Sequence, residues 1–186
     1  LGNIAFKRDE KEEAVEYLER AREISPRAGA LQGRTNIYSR LVSHYMESGD
    51  EEKMIERLEQ WRQISPEDLR SRLALGKIYL GKGDEESTAK AVKVLDEVIF
   101  INPFDLKLHK ELARAASSSG AHEIAIREYK LLLTYPETNP RTAYLALAKA
   151  CLGLGDKKEA ASFARKVLGI DGENAEAKKI LEQSGK

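Results

Sequence analysis

The chain has 186 residues, 41% of them hydrophobic and 33% charged, with 31 basic residues against 31 acidic ones and a formal net charge of zero. That length suffices for one large domain or a short repeat array with a sizeable buried surface. The charge balance argues against a generally basic nucleic-acid binder and against an acidic disordered tail.

The single cysteine, Cys151, cannot close an internal disulfide, and no apolar run reaches the roughly 18 residues needed to span a bilayer. A soluble segment is expected, with cytoplasm and periplasm both open. A chain that begins at Leu1 without a methionine reads as a piece of something longer, whose signal or anchor would lie outside it.

Taken from its start, the chain repeats itself. The first 26 residues carry an apolar stripe at Ala14, Leu18 and Ala21 that ends at Pro26. From there on, the glycines Gly49, Gly83, Gly120 and Gly155 follow one another at intervals of 34, 37 and 35 residues, close to the period of a helix-turn-helix repeat. Seven residues before each stands a compact residue: Val42, Gly76, Ala113 and Ala148. Leu41, Leu75, Leu112 and Leu147 precede these, and Tyr45, Tyr79, Ala116 and Cys151 follow three residues later, which is one face of a helix. Beyond each glycine a second helical stripe appears: Met54, Leu58, Trp61; Ala91, Leu95, Val98; Ala125, Tyr129, Leu132; and Ala160, Ala164, Val167.

The punctuation agrees with this division. Gly49-Asp50, Gly83-Asp84 and Gly155-Asp156 place a residue tolerant of positive φ after one helix and an aspartate suited to cap the next. Asp9 with Glu12 and Asp156 with Glu159 have capping-box spacing. Ser65-Pro66, Asn102-Pro103 and Asn139-Pro140 are expected to open the other helix of each pair, with proline at its first position. Strand signals are absent.

These offsets, best seen together in Leu75-Gly76, Tyr79, Ala91, Leu95, Val98 and Pro103, resemble the tetratricopeptide repeat. The resemblance implies an all-α fold, a right-handed α-solenoid of antiparallel helix pairs. About five repeats would fill residues 1–172: a partial first repeat at 1–26, then 27–66, 67–103, 104–137 and 138–172. Repeat two carries about six extra residues around Arg27 to Gln32, left open between a loop and a helix extension, and repeat three carries three extra before Ala91. Residues 173–186 are expected to form a closing helix, with Ala177, Ile180 and Leu181 on its inner side.

In this family the first helix of each pair lines the concave side, so binding residues are sought there. At 100° per residue, repeat positions 2, 5, 9 and 13 point away from the packed face. Position 9 gives Asn3, Ser43, Lys77, Arg114 and Lys149, and position 2 gives Asn36, Arg70, Lys107 and Thr142. Lys110 joins Lys107 and Arg114 on one stripe, and Arg40 stands at its edge. The family's usual residue at position 9 is asparagine, so three successive basic residues there are a departure that packing does not demand. The expected groove therefore comprises Lys77, Arg114, Lys149, Arg70, Lys107, Lys110, Arg40, Asn36 and Ser43, and its expected ligand is an extended acidic segment or a partner with an acidic ridge. The competing account is that these cations merely pair with neighbouring acids such as Glu47 and Glu111. Chaperone-binding members hold a C-terminal carboxylate with Lys, Asn and Arg on successive first helices. Here only Asn3 and Arg70 fit that pattern, and no such clamp is expected.

Nothing points to catalysis. The histidines His44, His109 and His122 form no i, i+4 pair and no HExxH, so neither a metal nor a cofactor is expected. His109 falls at a packed position and is read as a half-buried inter-helix contact. Cys151 and Trp61 are read as core. Ser117-Ser118-Ser119-Gly120 and Gly81-Lys82-Gly83 follow no strand and read as helix ends.

The expected function is a non-catalytic protein-interaction module or scaffold. Two alternatives are an appended repeat segment of a larger, membrane-associated bacterial enzyme such as a peptidase, and self-assembly through the incomplete first repeat, where Ile4 and Phe6 would be left for another copy to cover. RNA binding is disfavoured, because the basic stripe lacks interleaved aromatics for stacking bases.

Overall fold

A computed structural model describes residues 11–27 and 36–185. The expectations placed on Asn3, Ile4, Phe6 and Asp9, and on the insertion from residue 28 onward, lie outside the described residues. Among the described residues there are ten helices and no strands, and the chain falls into two compact units, Leu1–Leu75 and Gly76–Lys186.

The first unit contains α1 (Lys11–Ile24), α2 (Ile37–Ser48), α3 (Glu51–Ile64) and the start of α4 (Leu69–Lys82). α1 packs on α2 and α2 on α3, around Leu18, Leu41 and Tyr45, with Val15, Ile37 and Met54 against them. An ionic cluster lies beside this core. Glu19 accepts hydrogen bonds from Arg57 Nε at 2.8 Å, Tyr45 Oη at 2.8 Å and Arg22 Nε at 2.7 Å. Burial opposes the charge on Glu19, but the bonds from Arg57, Arg22 and Tyr45 outweigh it and hold the carboxyl below its ordinary range. Burial, reinforced by the bond to Glu19, pushes the Tyr45 phenol up to about 12.

The second unit contains the rest of α4, then α5 (Glu85–Ile101), α6 (Leu106–Ser118), α7 (His122–Leu132), α8 (Pro140–Gly153), α9 (Lys157–Ile170) and α10 (Ala175–Gln183). From α5 onward these helices pack in sequence, except that α10 touches both α8 and α9. Their close approach rests on small residues: Ala91, Ala113, Ala125, Ala148, Ala160 and Ala177 are all completely buried. Gly76 is in the same position, since a Cβ there would lie 2.4 Å from Leu95 Cδ2.

The turns follow from their residues. Gly49, Gly83, Gly120 and Gly155 all take φ between 71° and 77°. Asp50, Asp84 and Asp156 each accept from the backbone N–H three residues on. Two of the proline expectations are corrected. Ser65 and Asn102 cap the C-termini of α3 and α5, bonding back to Trp61 and Val98 carbonyls, and the prolines that follow sit in the turns. Proline has no N–H with which to continue a helix. α6 begins later, capped by Asp105, which accepts from Leu108 N at 3.1 Å. Only Asn139-Pro140 opens its helix as expected, with Asn139 accepting from Thr142 N.

His109 is more deeply placed than expected, at 4% exposure. Its Nε2 lies 3.0 Å from the Pro103 carbonyl oxygen and its Nδ1 faces the Glu128 carboxylate. Glu128, itself 1% exposed, also takes a 2.7 Å hydrogen bond from Arg127 Nε, and Arg127 reaches on to Asp96. This chain of contacts ties α5, α6 and α7 together.

Two tests follow from these clusters. Glu19 is held below its ordinary value, so its contribution to stability is present above about pH 4.5 and is lost as pH falls. Tyr45 is raised, so its contribution is present below about pH 10 and is lost as pH rises toward about 12. Denaturant unfolding across pH should therefore show an acid decline that Glu19→Gln flattens and an alkaline decline that Tyr45→Phe flattens. Glu128→Ala should lower the unfolding free energy by about 3 kcal/mol, because it leaves Arg127 and His109 without their buried partner. Arg127→Ala, at a far more exposed side chain, should cost clearly less in the same experiment.

Candidate functional site: a basic depression between α6 and α8

The sequence places Lys107, Lys110, Arg114 and Ser118 on the side of α6 opposite its buried face of Leu108, His109, Leu112, Ala113 and Ala116. On α8 the same count places Thr142, Leu145 and Lys149 opposite Ala143, Leu147, Ala148 and Cys151. Between the two, α7 contributes Tyr129, which is 9% exposed.

Two adjoining open depressions result. One, about 260 Å³, has Lys110 and Arg114 on its α6 side, Tyr129 and Leu132 from α7, and Glu137, Thr138, Asn139 and Thr142 at the start of α8. The other, about 370 Å³, is bounded by Arg114, Ser118 and His122 and by Lys149, over a floor of Tyr129, Leu145, Ala146 and Ala150. Arg114 borders both, and a third hollow beside Leu80, Thr88 and Glu111 as well.

The cations differ in what already occupies them. Lys149 Nζ is 2.9 Å from Glu176 Oε1 of α10. Lys107, 86% exposed, is loosely paired with Glu111 at 3.9 Å. Among the described residues no carboxylate comes within ion-pair distance of Lys77, Lys110 or Arg114. Lys77 is exposed on α4. Glu137, also exposed, is the one carboxylate bordering the first depression, and it sets a local limit to the positive potential there.

The expected residues in the first unit are placed differently. Asn36 is corrected: it is fully buried, and its side chain caps α2 by accepting from Ser39 N at 3.1 Å. An asparagine at a helix start satisfies orphan N–H groups better than it serves a ligand. Arg70 is engaged by Asp68, whose Oδ1 lies 3.1 Å from its Nε, and its guanidinium stands 4.8 Å over the ring of Trp61. That ion pair holds Asp68 below its ordinary range even though burial pulls the other way. Ser43 is exposed and donates to the Ser39 carbonyl, and Arg40 is half-buried on α2. Glu47, one of the acids considered as an internal counter-charge, pairs with Lys11 at 3.5 Å.

Sequence reasoning missed the apolar floor. Leu145 occupies the same repeat position as Lys110, so the count that selects the lysine also selects the leucine, but a search for charge passes over it. Tyr129 falls on the apolar stripe of α7 by helical count, yet it also lines both depressions.

Chemically, the site offers cations, hydroxyls and an apolar floor. Burial raises the Cys151 thiol, and the Glu159 and Asp156 carboxylates add to the effect, so a reactive thiolate is disfavoured there. Among the described residues no three His, Cys, Asp or Glu side chains converge as a metal site, and no helix is long and apolar enough to cross a membrane.

A tetratricopeptide-repeat family model matches residues 1–27 and 142–174. No curated protein sequence matches significantly. Among solved structures, the tetratricopeptide protein YrrB aligns with 96% of this chain and 87% of its own, at 14% identity and a TM-score of 0.52. A mutant form of the protein MamA aligns with 94% of this chain and 90% of its own, at 21% identity and a TM-score of 0.52. At such identities the likeness concerns the fold alone, a stack of helix pairs. Tetratricopeptide-repeat matches thus lie toward both ends of the sequence, and the described residues between them are built of helices.

Proposed function

We propose that this protein is a non-catalytic interaction module whose second unit holds an acidic, extended segment of a partner protein in the depressions between α6 and α8. The observation that carries the reading is Arg114, which borders three adjoining hollows and has no acidic partner among the described residues. A cation left unpaired in a concave, partly apolar setting favours an incoming anion more than one on a convex surface, because the low-dielectric walls reduce screening. Lys110 reinforces it from one turn earlier on the same helix, and Lys77, Lys107 and Lys149 extend the positive surface of this unit. The segment is taken to be extended because backbone in that form advances about 3.3–3.6 Å per residue, so side chains two or three residues apart reach successive cations. YrrB is a tetratricopeptide protein with an unusual peptide-binding site, so the fold is compatible with a peptide ligand.

Arg40, Arg70 and Ser43 are secondary to this reading, since Arg70 already has its counter-charge in Asp68.

The test is a fluorescence-anisotropy titration with a short labelled glutamate-rich peptide. Arg114→Glu should weaken binding by about tenfold or more, chiefly through faster dissociation, while circular dichroism stays unchanged because the side chain is exposed. Lys107→Glu should have a smaller effect. Equal affinity for the Arg114→Glu variant and the unmodified protein would remove this site from consideration.

A further inference from the structure

The two depressions flanking Arg114 differ in character, and the difference specifies more than negative charge. Around the first, Lys110 and Arg114 face the Thr138 and Thr142 side chains, a polar setting with two cations. In the second, the floor of Tyr129, Leu145 and Ala146 is predominantly apolar, with Arg114 at one side and Lys149 at the other. Leu145 and Ala146 are only partly covered by the chain's own packing, although leucine and alanine on a helix of this fold are ordinarily core residues. Lys149, the cation at that far side, already has Glu176 as a counter-charge, whereas Arg114 and Lys110 have none among the described residues. Charge recognition is therefore concentrated in the first depression and apolar contact in the second. Arg114, Tyr129 and Thr142 are common to both, so the two are contiguous.

We infer that this site reads a two-part motif in its partner: an acidic side chain held by Lys110 and Arg114, with a bulky aliphatic side chain close by in the peptide, seated on Tyr129, Leu145 and Ala146. The inference rests on the acidic-segment reading above and narrows it. Glu137 at the edge of the first depression sharpens the requirement, because it disfavours a second carboxylate beside the first. A single acid followed by an apolar residue fits this surface better than an uninterrupted acidic run. Desolvation by the aliphatic side chain also strengthens the neighbouring ion pair, since it removes water from beside Arg114.

The experiment compares three labelled peptides of equal length. One carries glutamate with leucine nearby, the second has serine in place of leucine, and the third has glutamine in place of glutamate. The leucine peptide should bind about tenfold more tightly than the serine peptide, in keeping with partial burial of one aliphatic side chain. Leu145→Ser should erase that advantage, and Arg114→Glu should weaken binding of both the leucine and the serine peptide. Equal binding of the leucine and serine peptides overturns the two-part motif and leaves the acidic-segment reading standing. Equal binding of the glutamate and glutamine peptides overturns the acidic-segment reading itself, and this inference with it. Retained leucine preference in Leu145→Ser, with unchanged circular dichroism, also overturns the motif by placing the apolar contact elsewhere.

Discussion

Close backbone approach at small residues is the constraint from which the second unit follows. Ala113 on α6, Ala125 on α7, Ala148 on α8 and Ala160 on α9 have no exposed surface, and a larger side chain at any of them would push the helices apart. Each alanine fixes which way its helix faces. The residue that follows is rotated by 100° and, on α6 and α8, cannot enter the contact, so Arg114 and Lys149 are turned outward by the packing of their neighbours. Functional positions in such a structure are what remains once the crossings have been satisfied.

The charges then divide into two kinds. Glu19, Arg57 and Arg22 in the first unit, and Glu128, Arg127 and Asp96 in the second, are bound to one another within or beside the core and hold helices in register. Breaking one such partner exposes the remaining charge to a poor solvent, so these groups are conformational and contribute little to recognition. Arg114 and Lys110 carry the same charges on exposed or half-buried side chains with no acid in reach among the described residues. Balanced composition overall conceals this sorting: a neutral chain can still present a local surface of one sign when its acids are spent on helix caps and internal pairs. Asp50, Asp84, Asp105 and Asp156 are spent in that way, each capping a helix.

Much of the architecture was legible because its signals are local. A glycine with positive φ followed by an aspartate cap specifies a turn within a few residues, as at Gly49-Asp50, Gly83-Asp84 and Gly155-Asp156. Ser65-Pro66 and Asn102-Pro103 were misread because a polar residue before proline suits either end of a helix. The choice depends on Asp105 and Asp68 further along, which offer a better start. Asn36 was misassigned for a related reason, since position 2 by helical count coincided with the residue just before the first turn of α2. Helical counting puts Lys107, Lys110 and Arg114 on one stripe of α6 but gives no information about pairing across helices. Glu176, which meets Lys149, lies 27 residues away, and Glu128, which meets His109, lies 19 away. No periodicity encodes such partners. The apolar floor under Arg114 was hidden for a third reason: leucine and alanine at those positions are what a core would also contain, and only packing reveals that Leu145 and Ala146 are incompletely covered.

The central claim is that recognition occurs on the α6 and α8 faces that border Arg114. Mapping amide chemical shifts while titrating a glutamate-rich peptide into the isotopically labelled protein tests it most directly. The account predicts perturbations concentrated in residues 107–118 and 138–150, with the Arg114 side-chain Nε–H among the largest. Perturbations confined to α9, or to the first unit, would contradict it.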